Sequence, residues 1–314
     1  MRILVIGGGG PIGQATVRAF SARGDDVCWT SRQQALISGQ VQADRSRPNE
    51  ILQLAQTRRA DVVVDMTVYT ADDTLPLLAA LDGQIARYVM VSSSDVYRNY
   101  GLLHQIETGT PDPSPLTEQS PLRTRAFPYR GQQPRSADDP ARWMDDYDKI
   151  PLEAAVHAMA SDWTVLRLPM VYGPGDRQRR FRWAIRPMLA GVSVLEVPHR
   201  WLDWTTTYGF LDNIGAAIAH ASVHPKAARR VFNVVDETAV DHNEWVKRLQ
   251  VATDWPGVVL PTESETAFSR AIANLDLAIP LDVSAKRLFT ELEFIPPIDF
   301  AAAARMTVAD EAAR

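Results

Sequence analysis

The sequence predicts an α/β protein, a Rossmann-type doubly wound parallel sheet with a smaller C-terminal substrate lobe. Three observations carry the prediction. Short apolar runs alternate with helical patterns as far as residue 168, the mark of a parallel sheet wrapped by helices. The run Gly7-Gly8-Gly9-Gly10-Pro11-Ile12-Gly13 directly follows the first strand and opens the first helix. Beyond Pro169 the rhythm turns irregular, then a return element appears at residues 210–221 and 230–235. Residues 1–168 are therefore read as a dinucleotide-binding domain, which a return segment at about 208–236 rejoins, and residues 169–314 mainly as the substrate-binding lobe.

Residues 2–6 form a buried first strand. Ile12, Ala15, Ala19 and Phe20 then recur at helical spacing, and Gly24 supplies a stop. Residues 27–30 and 41–43 are the second and third strands, and a helix over 49–57 presents Ile51, Leu52 and Leu54. Residues 61–66 and 88–92 are strands flanking a helix over 73–81, and 163–168 is a sixth strand. Between 98 and 142 seven prolines interrupt the pattern. Proline removes amide donors and opposes both helix and central strand, so this stretch is read as a long loop or lid, functional or merely solvated.

Composition narrows the function. A hydrophobic fraction of 46% builds a sizeable core, and a net charge of −5 lacks the basic field of a nucleic-acid or anionic-membrane binder. Small molecules are the expected partners, with nucleic acid disfavoured. The single cysteine, Cys28, permits no intrachain disulfide. With no apolar span of membrane length and no signal-peptide pattern at the start, a cytoplasmic protein is expected. The six histidines show no metal-ligand spacing, so no metal site is assigned.

The glycine run is the sharpest motif. Positions without side chains let the turn tighten and let a pyrophosphate approach amides at a helix N-terminus, where the dipole favours negative charge. Gly7, Gly10, Pro11, Ile12 and Gly13 are assigned to the cofactor on this ground. The tip of the second strand selects between dinucleotides. An acid there takes ribose hydroxyls, whereas arginine accommodates a 2′-phosphate. The chain offers Ser31-Arg32, so NADP is favoured over NAD.

These residues resemble the extended short-chain dehydrogenase/reductases, the NAD-dependent epimerase/dehydratase-like proteins. The resemblance runs through Gly7, Gly10 and Gly13, Asp44-Arg45, the 92–97 block Ser-Ser-Ser-Asp-Val-Tyr, the 149–153 block Lys-Ile-Pro-Leu-Glu, residues 167–176, and Phe210-Leu211-Asp212-Asn213. It implies that Asp44 contacts adenine with Arg45 beside it, that Thr67 to Tyr69 line the cofactor, and that Pro169 to Val171 border the nicotinamide. It also implies a Ser/Thr, Tyr, Lys set, which Ser93 and Lys149 match, with Lys149 on the nicotinamide ribose. A homodimer is a further implication.

The tyrosine of the family's YxxxK pattern is missing, because Asp145 stands four residues before Lys149. On a helix running through both, Asp145 faces the nicotinamide beside Ser93 and Lys149. Such an aspartate, held anionic by the ammonium, can act as a base but is a poor acid at neutral pH. If the helix instead begins near Asp148, Tyr147 can swing inward as the working acid. A regular helix would turn Tyr147 away from the lysine, while Pro151 unsettles the helical register.

The leading expectation is NADP-dependent reduction, epimerisation or dehydration of a small hydroxy or carbonyl compound. Its rivals are a cofactor-binding regulator or sensor without turnover and, since some plastid stem-loop-binding proteins look similar, an RNA binder. Thr206 occupies the position where sugar-nucleotide members carry an arginine, which lowers support for nucleotide sugars. Arg177, Arg179, Arg180 and Arg182 are read as a solvated basic face, and Trp201 and Trp204 as core of the smaller lobe.

Overall fold

The computed structural model describes residues 1–35, 37–131, 133–236, 239–263 and 267–314. Among them, seven strands form a central sheet with parallel pairings throughout. Six come from the first 168 residues: β1 (Arg2–Ile6), β2 (Asp26–Ser31), β3 (Gln40–Gln42), β4 (Val62–Asp65), β5 (Arg87–Ser93) and β6 (Asp162–Leu168). The seventh, Arg230–Asn233, pairs with β6, so the order across the sheet is β3, β2, β1, β4, β5, β6 and then Arg230–Asn233. The order runs outward in both directions from β1 and β4. A crevice therefore opens at their C-terminal ends, where open α/β sheets bind ligands.

Alternation along β1 builds both layers, because successive side chains in a strand point to opposite faces. Ile3 and Val5 join Phe20, Ile214 and Ile218 on one face. Leu4 and Ile6 join Ile51, Leu77 and Leu152 on the other. The helices α1 (Pro11–Ala22) and Leu211–Val223 cover the first face. The second is covered by α2 (Pro48–Thr57), α3 (Ala71–Leu81) and, after the short α4 (Arg98–Leu103), by α5 (Lys149–His157). A third apolar cluster, with Phe181, Ile185, Leu195, Trp245 and Leu249, forms the smaller lobe.

The proline-rich stretch is the long loop expected, apart from its opening. It opens with α4, and residues 104–141 hold no helix or strand among the described residues; most of them are exposed, but a few buried side chains tie the segment down. Leu116 and Arg123 are buried, and Leu116 pairs with Val283. Of the four arginines after Gly175, Arg177 and Arg182 are exposed as expected, but Arg179 pairs with Glu311 and Arg180 with Asp176. Trp204 is buried, and Trp201 stacks on His242 with ring centroids 4.3 Å apart. Among the described residues no helix is long and apolar enough to cross a membrane.

Candidate active site

The glycine turn lies at the end of β1. Gly7 has φ +75°, and a Cβ there would stand 2.5 Å from Thr67 Cγ2. At Gly13 a Cβ would come within 2.8 Å of the Gly7 carbonyl oxygen. Gly10 is different, because a Cβ there meets nothing within 4 Å. It is the N-cap of α1, supplies no side-chain cap, and is followed by Pro11 at the first turn. Open space thus fronts a helix N-terminus without a side-chain cap, which is the donor arrangement that suits a dinucleotide's pyrophosphate. Ile12 packs against the core below. Gln14 Nε2 holds the turn closed by donating to the Gly8 carbonyl at 2.7 Å.

At the tip of β2, Ser31 Oγ accepts from the Gln33 amide at 3.1 Å, and the Arg32 side chain is exposed. Asp44 accepts from the Ser46 amide at 2.9 Å, and this bond is the main reason its carboxyl lies below the usual range. Arg45, expected beside the cofactor, is engaged by the end of β4. Its Nη2 pairs with the fully buried Asp65 at 2.7 Å and its Nη1 donates to the Asp73 carbonyl at 2.7 Å, which uses the guanidinium to brace the end of β4. Burial alone would raise the Asp65 pKa, but Arg45, Thr67 and Tyr88 hold it low. Asp65 also fixes Thr67, accepting from its amide at 2.9 Å and its hydroxyl at 3.0 Å.

Ser93 ends β5 in register with Leu168 of β6, which brings Pro169 and Val171 to the same end of the sheet. The Val171 carbonyl is held by Arg180 Nη1 at 2.5 Å. Beside them Lys149 Nζ is buried and donates to the carbonyls of Val68 and Val91, the latter at 3.0 Å. Burial pulls the Lys149 pKa down to about 8, against the attraction of Asp95 and Asp65. Its ammonium stands 4.9 Å from the Tyr69 ring centroid and 5.5 Å from that of Tyr147.

The helix α5 begins at Lys149, with Asp148 as its N-cap, and this start sets where Tyr147 and Asp145 lie relative to Lys149. Tyr147 and Asp148 are extended (φ −70°, ψ 123° and φ −158°, ψ 121°), and Tyr147 forms a bridge with Thr70. In extended chain, residues two apart share a side, so Tyr147 and Lys149 point the same way. The Tyr147 phenol donates to Asp95 Oδ2 at 2.8 Å, and the Asp95 amide donates to Ser93 Oγ at 3.2 Å.

The expected helical pairing of Asp145 with Lys149 is thereby corrected. Asp145 lies in a separate 3₁₀ turn, Arg142–Asp146. Its carboxylate binds the Arg135 guanidinium, the Arg135 amide at 2.8 Å and Arg142 at 3.2 Å. Although burial would raise its pKa, these partners hold it below the ordinary value.

Sequence reasoning missed Asp95 and Tyr129. Asp95 is buried, and its Oδ2 also accepts from Tyr129 at 3.0 Å. The signal was an acid inside the 92–97 block, two residues beyond the candidate serine. Other motif residues act as scaffold: Glu153 bonds Ser92 at 2.6 Å and Arg167 at 2.7 Å, while Tyr97 bonds Asn233 at 2.6 Å.

Residues 3–234 match the NAD dependent epimerase/dehydratase family. The chain belongs to that family. A curated relative, the chloroplast stem-loop binding protein of 41 kDa b from Arabidopsis thaliana, is 22% identical over 81% of this chain, which spans 64% of the relative's length. The 2′-dehydrokanamycin reductase of Streptomyces kanamyceticus is 36% identical over 98 residues, 30% of this chain and 28% of that one. The UDP-glucose 4-epimerase of Thermus thermophilus, solved in complex with NAD, superposes with a TM-score of 0.64 at 18% identity, covering 99% of each chain, and shares the fold.

Proposed function

We propose that this protein is an NADP-preferring oxidoreductase of the epimerase/dehydratase kind, acting on the C–OH or C=O group of a small molecule. Ser93, Tyr147 and Lys149 are the groups about the reacting oxygen. The observation that carries this reading is the buried Tyr147 phenol, on the side that Lys149 shares, its ring centroid 5.5 Å from the ammonium and its hydroxyl bonded to Asp95, two residues beyond Ser93. When bound, the nicotinamide cofactor supplies or accepts the hydride. Ser93 orients the substrate oxygen, Tyr147 exchanges a proton with it, and Lys149 keeps positive charge near the phenol, being largely protonated at neutral pH with a pKa of about 8. Gly7, Gly10 and Gly13 would receive the pyrophosphate. Asp44 would meet the adenine, and Thr67, Tyr69, Pro169 and Val171 would line the nicotinamide side.

The preference for NADP rests on Ser31 and the exposed Arg32, with no acid at that tip. Solved neighbours such as the Thermus epimerase carry NAD, so the two cofactors must be compared directly. Calorimetry with NADPH and NADH is the test. NADPH should bind more tightly, and Arg32→Ala should cut its affinity by about 10–100-fold, the equivalent of one charge-assisted hydrogen bond, with little change for NADH. Equal affinities in the parent protein would refute the preference. Gly10→Phe should abolish binding of both, because the ring would fill the open space before α1. A panel of small aldehydes and keto sugars, followed by loss of NADPH fluorescence, tests turnover. Tight NADPH binding with no turnover on the panel would favour the sensor reading.

A further inference from the structure

The buried groups about Tyr147 contain one anomaly. Asp95 Oδ2 receives two phenols, Tyr147 at 2.8 Å and Tyr129 at 3.0 Å, while Asp95 Oδ1 is buried with no hydrogen-bond partner among the described residues. A buried carboxylate oxygen without a donor costs free energy unless the group takes up a proton. The phenol and the lysine, meanwhile, share no hydrogen bond among the described residues. The donors of Lys149 go to the carbonyls of Val68 and Val91, and the phenolic proton of Tyr147 goes to Asp95.

We propose that Asp95 is the proton store of Tyr147, a carboxyl that loads and unloads the phenol during turnover. This deepens the redox reading above and rests on it. In the reducing direction the substrate carbonyl carbon gains a hydride, with its two electrons, from the reduced cofactor, which is oxidised. The carbonyl oxygen takes the phenolic proton of Tyr147. The phenolate takes the proton held by Asp95, which ends as a carboxylate and is reprotonated from solvent between turnovers. Oxidation of an alcohol runs the same transfers backwards. Asp95 acts through Tyr147 and is a positioning residue in this scheme.

The groups around Asp95 set the pH at which this works. Tyr147, Tyr129, Arg123 and Lys149 face it and stabilise its anion, Tyr100 lies beyond Tyr129, and burial outweighs them to leave the carboxyl above the usual aspartate range. Burial, followed by the Asp95 charge, pushes Tyr147 well above an ordinary phenol. Reduction needs Asp95 protonated, so its rate should fall as pH rises through the Asp95 pKa; oxidation should rise over the same interval. An Asp95 that merely anchors the 123–129 segment would leave the pH profile unmoved.

Two titrations decide the question with the full chain, and both read in the presence or absence of NADPH. Infrared difference spectra of wild type minus Asp95→Asn should show a protonated-carboxyl stretch that fades at a pH above that of an exposed aspartate. Tyrosinate absorbance should emerge at lower pH in Asp95→Asn than in wild type, and the extra signal should vanish when Tyr147→Phe is added. Should Asp95→Asn fail to fold, Tyr147→Phe alone serves: losing a phenol donor should move the carboxyl midpoint upward. A carboxyl fading in the exposed-aspartate range, superimposable tyrosinate curves, or an unmoved midpoint would overturn the proposal. Failure of NADPH to bind would overturn the redox reading and leave these titrations interpretable as a test of the Asp95–Tyr147 coupling.

Discussion

Asp95 and Asp145 are both almost completely buried, 3% and 1% exposed, and both belong to segments that converge near Tyr147. Their surroundings differ. Asp145 is saturated, bound by two guanidiniums and an amide, and its pKa is depressed. Among the described residues Asp95 receives two phenols on one oxygen and nothing on the other, and its pKa is raised. A saturated carboxylate pins structure, whereas a starved one retains the capacity to exchange a proton. Proximity in sequence to Lys149 favoured Asp145. Hydrogen-bond supply favours Asp95 and the phenol it holds.

The contrast depends on the break between the 3₁₀ turn and α5, and the sharpest way to disturb it is at the cap. Asp148 accepts from the Ile150 amide at 3.2 Å, from Arg123 at 3.1 Å and from the Phe127 amide at 3.0 Å. Asp148→Ala strands a guanidinium with no exposed side-chain surface, so a loss of about 3–5 kcal/mol in urea unfolding is expected. A loss under about 1 kcal/mol, the scale of a lone cap, would show that Asp148 does not hold the two segments together.

This junction also marks where the sequence stopped being legible. The sheet strands, the glycine turn and the return to Arg230–Asn233 are local, periodic patterns, and their predicted bounds differ from the observed ones by a residue or two. Spacing four residues apart, by contrast, carries meaning only if one helix spans both positions. Whether α5 reached back to Asp145 depended on the Asp148 cap and its partners Arg123 and Phe127, more than twenty residues upstream. No helical or strand period reports such a contact. The Arg45 ion pair was hidden for a similar reason, because its partner Asp65 lies twenty residues away at the end of β4.

A smaller effect is expected at Asp145 itself. Asp145→Asn keeps the shape and weakens the charge-assisted bonds to the half-exposed Arg135 and Arg142, so about 1–3 kcal/mol of stability should be lost, with little change in NADPH affinity. Calorimetric affinity reduced in step with stability would mean that Asp145 shapes the cofactor site and would blur the contrast.

The smallest effect is a slope. The folded-state pKa of Lys149, about 8, lies below its ordinary value of 10.5. Between those pH values the unfolded chain holds the proton that the folded chain has released, so this group makes stability rise with pH across the interval and contributes no slope well below it. Relative to Lys149→Met, the wild type should gain stability as pH climbs from about 8 toward 10.5, by roughly 1–3 kcal/mol. Parallel stability curves would show that Lys149 keeps an ordinary pKa.

The central claim is that Tyr147, and not Asp145, stands with Ser93 and Lys149 where the substrate oxygen reacts. Its most direct test is the kcat of Tyr147→Phe and Asp145→Asn, measured side by side on whichever carbonyl compound of the panel the wild type reduces fastest. The account predicts a loss of about 10²–10⁴-fold for Tyr147→Phe, with Asp145→Asn within a few-fold of wild type. A collapse in Asp145→Asn with Tyr147→Phe left active would contradict it.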